Sequence, residues 1–324
     1  MASVKVITWN VNQVMSFERA ERVATWLVDQ DAAVILLQEV VCGRDEVLES
    51  RLGDTHDWFY ARVRGDRSLY GSAIAVAKRF GARRVEPLAR SEAQEERRSA
   101  PEMVIGVEAP ALGVVISAHF PNGSGWGWGK INVWRELQAW IDGRTGPMIL
   151  GGDFNAPGLE VDGKAYCFGT QLQIGGHFRD LSPSTARMFL DSGELAPVTR
   201  LWERWKDSEG REGSGAEWEE VESWIFNRSA EHGLVDAVMS APDVGDVASL
   251  YSHYVRGIKT RYDHIFARGW RSTSASYFPK TLRRGDPDGP ASDHAALVVE
   301  FEGPTSQAVL TQPSITEPPP IRGE

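Results

Sequence analysis

The sequence predicts an α/β protein, and three stretches near its start carry the prediction. Val4 to Thr8 is β-branched and alternating, the pattern of a strand with one face buried. Behind Ser16, which can cap a helix, Phe17, Ala20, Val23, Ala24 and Leu27 recur at helical spacing. The continuous apolar run from Asp31 to Leu37 then reads as a strand covered on both faces. Strand, helix, strand is the resulting order. Both strands finish in polar groups, Asn10 with Asn12 and then Glu39, and ligand sites in α/β sheets gather beyond strand ends.

Further strand patterns follow at Trp58 to Val63, Ser72 to Ala77, Met103 to Glu108 and Val114 to Ala118, the last running into His119-Phe120-Pro121-Asn122-Gly123. Lys130 to Asp142 is expected to be a helix with Ile131, Trp134, Leu137 and Ile141 on one stripe. The apolar run Pro147-Met148-Ile149-Leu150 closes in Gly151-Gly152-Asp153-Phe154-Asn155-Ala156-Pro157, which reads as a buried strand delivering polar residues to a sheet edge. Residues two apart in an extended chain face the same way, so Asp153 and Asn155 are expected side by side with Phe154 turned inward. Such a pair can hold a phosphoryl oxygen, a metal-bound water or a leaving group.

Residues 158–233 are less regular, with helical pieces at Thr185 to Leu190 and Leu195 to Lys206. No linker composition flanks them, so they are expected to be an insertion within one domain spanning residues 1–302. Tyr262 to Ala267 and Ala295 to Phe301 are the last strand candidates, and residues 303–324, rich in Pro, Ser, Thr and Gln, are expected to be a disordered tail. No internal repeat is visible.

With 42% hydrophobic and 25% charged residues among 324, the composition is that of a soluble globular protein. Thirty-five Lys and Arg against 45 Asp and Glu give a net charge of -10, which argues against a non-specific nucleic-acid coat protein while leaving room for a local basic groove. Cys42 and Cys167 are too few and too far apart for a disulfide framework or a cysteine metal site. The start of the chain runs straight into a strand pattern with no apolar leader, so the expected location is cytoplasmic, without a membrane span. The sequons at Asn122 and Asn227 then carry no meaning.

Five polar constellations stand at or beside predicted strand ends: Asn10 with Asn12, Glu39, His119, Asp153 with Asn155, and Arg261-Tyr262-Asp263 followed by Ser292-Asp293-His294. Each alone has a structural reading: a turn residue, a solvated carboxylate, a satisfied core histidine, or a surface pair between Asp263 and Arg261. Together they point to a shared ligand, because buried strands seldom end repeatedly in carboxylates and histidines without one.

Thr8-Trp9-Asn10-Val11-Asn12, Leu37-Gln38-Glu39, His119-Phe120-Pro121-Asn122-Gly123, Gly152-Asp153-Phe154-Asn155, Arg261-Tyr262-Asp263-His264-Ile265 and Ser292-Asp293-His294 stand in the order of the motifs of the endonuclease/exonuclease/phosphatase superfamily, which the chain resembles from Val4 to Phe301. The resemblance implies the DNase I-like fold: a four-layer α/β/β/α sandwich with two central, mostly antiparallel sheets and a magnesium-dependent phosphoesterase site at one edge. It also implies roles by position. Glu39 would be the principal metal carboxylate, beside Asn10 and Asn12 and completed by Asp293, a set of hard oxygen donors suited to Mg²⁺ or to Mn²⁺ in its place. Asp153 would orient or deprotonate the attacking water, Asn155 would hold the phosphate, and His294, steadied by Asp263, would bind or protonate the phosphoryl group, with His119 beside them. Either Asp153 or His294 could be the general base. Strand alternation sends His264 to the opposite face from Asp263 and leaves it out. His119 stands where the exonuclease III-like members carry tyrosine, whereas Asn10-Val11-Asn12 resembles the exonuclease III spelling, so the resemblance reaches the superfamily and stops short of a subgroup.

The loop Ser124-Gly125-Trp126-Gly127-Trp128-Gly129-Lys130 fails the phosphate-loop pattern, since Ser124 replaces its first glycine and Ile131 follows the lysine where Ser or Thr belongs. Trp126 and Trp128, with Asn122 nearby, could contact a substrate by stacking on bases or covering an apolar ligand, or pack back on the fold. Trp202, Trp205, Trp218 and Trp224 read as core-facing, and Arg97-Arg98 and Arg283-Arg284 as solvated pairs. The leading expectation is a Mg²⁺-dependent phosphodiester hydrolase acting on DNA or RNA. A phosphatase or phosphodiesterase for a small molecule or lipid headgroup is the second, favoured by the acidic charge and His119. A non-catalytic binding module is the third, and the retention of every ionisable motif residue speaks against it.

Overall fold

Alternation along the strands decides the architecture, because successive side chains serve opposite faces and each apolar face must be covered. The computed structural model describes residues 3–12, 16–61, 70–88, 103–121, 128–157, 159–161, 164–166, 171–174, 177–180, 215–243, 250–255, 258–278 and 292–303. In chain order the elements begin with β1 (Ser3–Asn10), α1 (Phe17–Gln30), β2 (Val34–Val41), α2 (Asp45–Leu52), β3 (His56–Tyr60), β4 (Tyr70–Ala77), β5 (Arg83–Val85), β6 (Val104–Ala109) and β7 (Gly113–His119). Next come α3 (Trp128–Asp142), β8 (Met148–Asp153), the short strands β9 (Leu159–Val161), β10 (Lys164–Tyr166), β11 (Gln171–Ile174) and β12 (His177–Asp180), and helices α4 (Gly215–Glu222), α5 (Trp224–Asn227) and α6 (Ser229–His232). The chain closes with β13 (Val235–Asp236), β14 (His253–Val255), β15 (Ile258–Thr260), β16 (Asp263–Arg268), β17 (Arg271–Phe278) and β18 (Ala296–Glu302).

Two six-stranded sheets result, ordered β17-β18-β1-β2-β4-β3 and β13-β16-β8-β7-β6-β5. Each contains a single parallel pair, β1 with β2 and β7 with β8, and the remaining neighbours are antiparallel. Parallel strands need a crossover, and α1 and α3 supply the two. On β1, Val4 and Val6 enter the core between the sheets, where they meet Val34, Leu36, Val115, Ile149, Ile265 and Val299. Ile7 and Trp9, on the other face, pack with Val23 and Leu27 of α1. The second sheet repeats the division, turning Ile116, Leu150 and Phe266 toward Trp134, Leu137 and Ile141 of α3. Helix, sheet, sheet, helix is the outcome, and it is the four-layer sandwich the resemblance implies.

Most predicted elements stand within a few residues of their expected bounds. α1 begins where Ser16 caps it, the hydroxyl accepting the Arg19 N–H at 3.2 Å. β17 was not foreseen: Arg271-Ser272-Thr273-Ser274-Ala275-Ser276 is polar on an edge strand, and only Ser272 and Tyr277 of its length are buried. α2 escaped notice too, its three buried apolar side chains, Val47, Leu48 and Leu52, standing among charges. Trp218 and Trp224 are buried as expected. The helical pieces at 185–190 and 195–206, Trp202, Trp205, both arginine pairs and the tail beyond residue 303 lie outside the described residues. Among the described residues no helix is long and apolar enough to cross a membrane.

The two glycines of the central stretch lie inside β8, not beyond its end, and both are spatial necessities. A Cβ at Gly151 would come within 2.7 Å of Leu36 Cδ1 in the facing sheet, and one at Gly152, where φ is +154°, within 1.7 Å of the Ala118 carbonyl oxygen. Gly152→Ala should therefore destabilise the protein by about 3 kcal/mol or more through overpacking and backbone strain. Gly146→Ala, whose added carbon meets nothing within 4 Å, should change stability by less than about 0.5 kcal/mol. Urea denaturation midpoints of the two variants provide the comparison, and equal midpoints would contradict this packing.

Candidate active site

The last rung of inward-facing side chains is polar where the rungs below it are apolar. His119 pairs in register with Asp153, and Asp153 with Asp263, so the ends of β7, β8 and β16 set these three abreast on the face turned toward the other sheet. Across from them β1 ends in Asn10, two residues beyond Thr8 on the same face. Glu39 follows Gln38, which points inward, and simple alternation would aim it at the helical layer. A bulge between Leu37 and Val40 in the pairing with β4 and a left-handed backbone (φ 58°) redirect it into the cleft. Among the described residues, four non-glycine residues have positive φ: Asp31 ends α1, while Asn12, Glu39 and Asn155 all lie at this edge. Such strain at about 1–3 kcal/mol per residue persists only where surroundings enforce it.

A continuous polar network links these groups. The Asn10 amide nitrogen donates to Glu39 Oε1 at 3.1 Å and to Asp153 Oδ2 at 2.9 Å, while its oxygen accepts the Asn12 N–H at 2.8 Å. His119 Nε2 lies 3.7 Å from both Glu39 Oε1 and Asp153 Oδ2. His294 Nε2 is 3.9 Å from Asp153 Oδ2, and its Nδ1 is hydrogen-bonded to Asp263 Oδ2 at 2.6 Å. Asp263 is itself fixed: Ser252 Oγ accepts its N–H at 2.9 Å, and the Tyr277 hydroxyl donates to its carbonyl at 2.8 Å. The His294 segment is stitched to β1 by the Ser292 hydroxyl on the Asn10 carbonyl (2.6 Å) and by the Trp9 indole N–H on the His294 carbonyl (2.9 Å).

Burial alone would push the Asp153 carboxyl upward and the His294 imidazolium downward. For Asp153 the neighbouring imidazoles of His294 and His119 and the hydrogen bonds from Asn10 and Asn155 outweigh burial, and its pKa falls below the ordinary carboxylate value. For His294 the Asp263 and Asp153 carboxylates overcome burial and raise the pKa to about 10. Asp153 is thus a carboxylate and His294 an imidazolium in the resting site.

Asn10, Glu39, His119, Asp153, Asp263 and His294, dispersed in the sequence, are brought together. Asp293 adjoins them, its charge acting on both His294 and Arg19, and its Oδ1 is buried without a hydrogen-bond partner among the described residues. Asn12 is turned by its left-handed backbone, and its carbonyl accepts a hydrogen bond from Arg19 at 3.4 Å. The extended geometry expected for Asp153 to Asn155 is replaced by a tight turn. Asn155 adopts φ 47°, its N–H folds back on Asp153 Oδ1 at 2.8 Å, and its side-chain amide donates to the Phe120 carbonyl at 3.0 Å. Phe154 turns into the core among Phe120, Trp134 and Phe266, as expected. His264 faces away, 3.0 Å from the Ala156 carbonyl and 3.5 Å from Asp236. Arg261 pairs with Asp236 at 2.7 Å and leaves Asp263 to His294. Asn122 and Trp126 lie outside the described residues, and Trp128 is the first residue of α3.

Two residues at this edge escaped the sequence reading. The His253 ring lies 4.8 Å from that of His294 and 5.5 Å from Tyr262, and burial lowers its pKa with the His294 charge adding to the effect. No motif surrounds it, and its only signal was a histidine shortly before Arg261-Tyr262-Asp263. Gln38, quoted but given no role, bridges the sheets directly beneath the site, donating to Thr8 Oγ1 at 3.2 Å and Ser117 Oγ at 3.1 Å.

The ligand atoms of Asp153, Asp263 and His294 all lie within 4.8 Å of one another, close enough to enclose a cation. The short bond to Asp263 occupies His294 Nδ1 and leaves Nε2 as its free nitrogen. The trio is better suited to holding and moving a proton. Oxygen donors for a hard cation stand beside it in Glu39 and Asp293.

Carboxylates and imidazoles at the shared edge of two packed sheets define a hydrolytic type of site. The chain belongs to the endonuclease/exonuclease/phosphatase family, whose sequence model matches residues 7–294, and it is accordingly a phosphoesterase. No curated protein matches it. Among solved structures it is similar to D. rerio TDP2 humanised by 14 mutations, at 14% identity over 93% of this chain and 99% of that one, with a TM-score of 0.55. D. rerio TDP2 complexed with single-strand DNA product matches at 14% identity over 93% of this chain and 100% of that one (TM-score 0.52). The Neisseria 3′ phosphatase NExo bound to a product DNA hairpin matches at 18% identity over 92% and 99% of the two chains (TM-score 0.56). At these identities the likeness establishes the shared fold.

The raised pKa of His294 has a measurable consequence in chelator-treated protein. A group whose folded-state value exceeds its unfolded one stabilises fully below the unfolded value, 6.5, and loses that contribution as pH rises through the folded value, about 10. The melting temperature should fall across that window. In His294→Asn this part of the slope should vanish, and an unchanged slope would show that His294 does not carry it.

Proposed function

We propose that the protein is a Mg²⁺-dependent phosphodiester hydrolase acting on nucleic acid, DNA in particular. The observation that carries this reading is the placement of Asp153, which shares the Asn10 amide with Glu39 on one side and faces the imidazoles of His119 and His294 on the other. That DNA is the bound product in the similar structures of TDP2 and NExo supports the choice of substrate.

Glu39 and Asp293, with the Asn12 carboxamide, would hold the cation. The donors fit: all are hard oxygens, and the buried Asp293 Oδ1 lacks any hydrogen-bond partner among the described residues. Asn10 now turns its nitrogen to the carboxylates and serves to space Glu39 from Asp153. When bound, Mg²⁺ supplies Lewis-acid stabilisation of the phosphoryl and leaving oxygens. The protein's own groups do the rest. Asp153, ionised, orients the attacking water and takes its proton as the new P–O bond forms and the leaving P–O bond breaks. His294, charged and held at Nδ1 by Asp263, turns Nε2–H toward the phosphoryl oxygen, where negative charge accumulates. His119 Nε2 faces the same opening, and Asn155 retains a second amide hydrogen for a phosphate oxygen.

A small phosphoester is the second reading, favoured by the net charge of -10, which opposes the approach of a polyanion. The two readings separate by salt: cleavage of a DNA substrate should weaken steeply between 50 and 200 mM salt, by roughly 10-fold or more, whereas a small ester should be nearly indifferent. Activity on bis(4-nitrophenyl) phosphate and on a DNA duplex should require Mg²⁺ or Mn²⁺ and disappear with chelator. Glu39→Gln should abolish the metal-dependent rate, and full activity in that variant would refute the metal assignment. His294→Ala should lower kcat by roughly 10²- to 10⁴-fold. A loss below about threefold would remove His294 from the chemistry.

A further inference from the structure

Lys130, the last residue of the glycine- and tryptophan-rich loop, has no part in the mechanism above. It lies in the first turn of α3 with its side chain 2% exposed, too deep to meet a substrate. Its ammonium has two partners. One is Glu222 at the end of α4, also 2% exposed, whose other oxygen accepts the Trp218 indole N–H. The second is the carbonyl oxygen of Asn155, 2.9 Å away.

The Asn155 peptide is thus gripped at three points. Asp153 Oδ1 takes its N–H, the Phe120 carbonyl takes its side-chain amide, and Lys130 takes its carbonyl. The first two grips come from within the catalytic edge, and the third comes from behind it. The left-handed region is a minority state even for asparagine, so loss of these bonds would favour a return to extended geometry. That return would release the N–H from Asp153 and free the carboxylate that faces His294. Stability alone does not account for the pair, because a buried ion pair is commonly matched or surpassed by apolar residues of similar volume. Nor is the contact incidental to helix packing, since Arg135 with Glu217 and Gln138 with the Val221 carbonyl already tie α3 to α4.

We propose that Lys130, clamped by Glu222, is a positioning residue that locks the Asn155 turn and so aims Asp153, making α4 of the 158–233 insertion a working part of the active site at one remove. The inference rests on the hydrolase reading for its catalytic consequence and on geometry alone for its structural one. Burial drives the Glu222 carboxyl upward with Lys130 as its main opposing influence, so removing the lysine alone endangers folding. The decisive variant is therefore Lys130→Met combined with Glu222→Gln, which removes both charges and keeps a carboxamide oxygen for the Trp218 indole N–H.

Two readouts test it on the full chain with Mg²⁺ present: steady-state hydrolysis of bis(4-nitrophenyl) phosphate, and amide hydrogen exchange of the peptide containing residues 153–156. In the double variant, at an undiminished melting temperature, kcat should fall by roughly 10- to 100-fold, as expected for a misaimed group, with KM within about twofold of wild type. Exchange at 153–156 should accelerate by about tenfold while the strands of the second sheet exchange as before. Wild-type kcat, or wild-type exchange at 153–156, would overturn the proposal. Should the wild-type protein hydrolyse no phosphoester, the hydrolase reading fails, and exchange still decides whether Lys130 holds the turn.

Discussion

The shared register of β7, β8 and β16 is the constraint on which the site depends. Because His119, Asp153 and Asp263 are paired rung to rung, none can enter the cleft without the others, and a slip of one residue would turn any of them toward α3. The register is pinned below that rung by steric exclusion. Gly152 admits the Ala118 carbonyl beside it, and Gly151 admits Leu36 from the facing sheet, so β8 fits its neighbours in one alignment. Gln38, with Thr8 and Ser117, then joins the two sheets by hydrogen bonds just beneath the polar rung. The apolar core thereby ends in a layer that can hydrogen-bond, and the charged layer above it is not laid directly on hydrocarbon.

Charge balance at the edge explains what the site is built to receive. Glu39, Asp153, Asp263 and Asp293 bring four carboxylates, and His294 is the cation fixed among them, with the His119 ring beside two of them. An excess of negative charge behind low-dielectric walls is held together only by hydrogen-bond donors and by an added cation. Asn10 supplies the first by donating to two carboxylates at once. The unsatisfied oxygens of Asp263 and Asp293 mark where that supply runs out. The backbone strain at Asn12, Glu39 and Asn155 belongs to the same account, since each left-handed residue turns the chain at the point where it leaves or re-aims its strand.

Much of this was legible in the sequence because the physical rules involved are local. Period-two alternation from Val4 to Thr8 extends without interruption to Asn10, and the run from Val114 to Ala118 extends to His119, so the inner face could be counted residue by residue. The same counting excluded His264. It failed at Glu39 and Asn155, where a bulge and a left-handed turn break the period; Glu39 was placed by its motif, and Asn155 was expected in an extended strand that does not exist there. His253 and the Lys130–Glu222 pair were invisible for a different reason. Their roles depend on contacts between segments far apart in the chain, and neither sits in a pattern that local propensity or spacing can mark.

The segment Arg261 to His264 shows how a strand entry can divide its labour. Asp236, largely but not wholly buried, is held ionised by Arg261, with His264 adding to the effect, and its pKa is depressed despite a burial that would raise it. Engaging Arg261 there keeps a permanent cation away from Asp263, two residues along. Asp263 is left to His294, whose Nδ1 it holds at 2.6 Å and whose charge it sustains. The two pairs thus stand on opposite sides of one strand entry. Asp236 takes the arginine and a histidine on one side, and Asp263 takes His294 on the other.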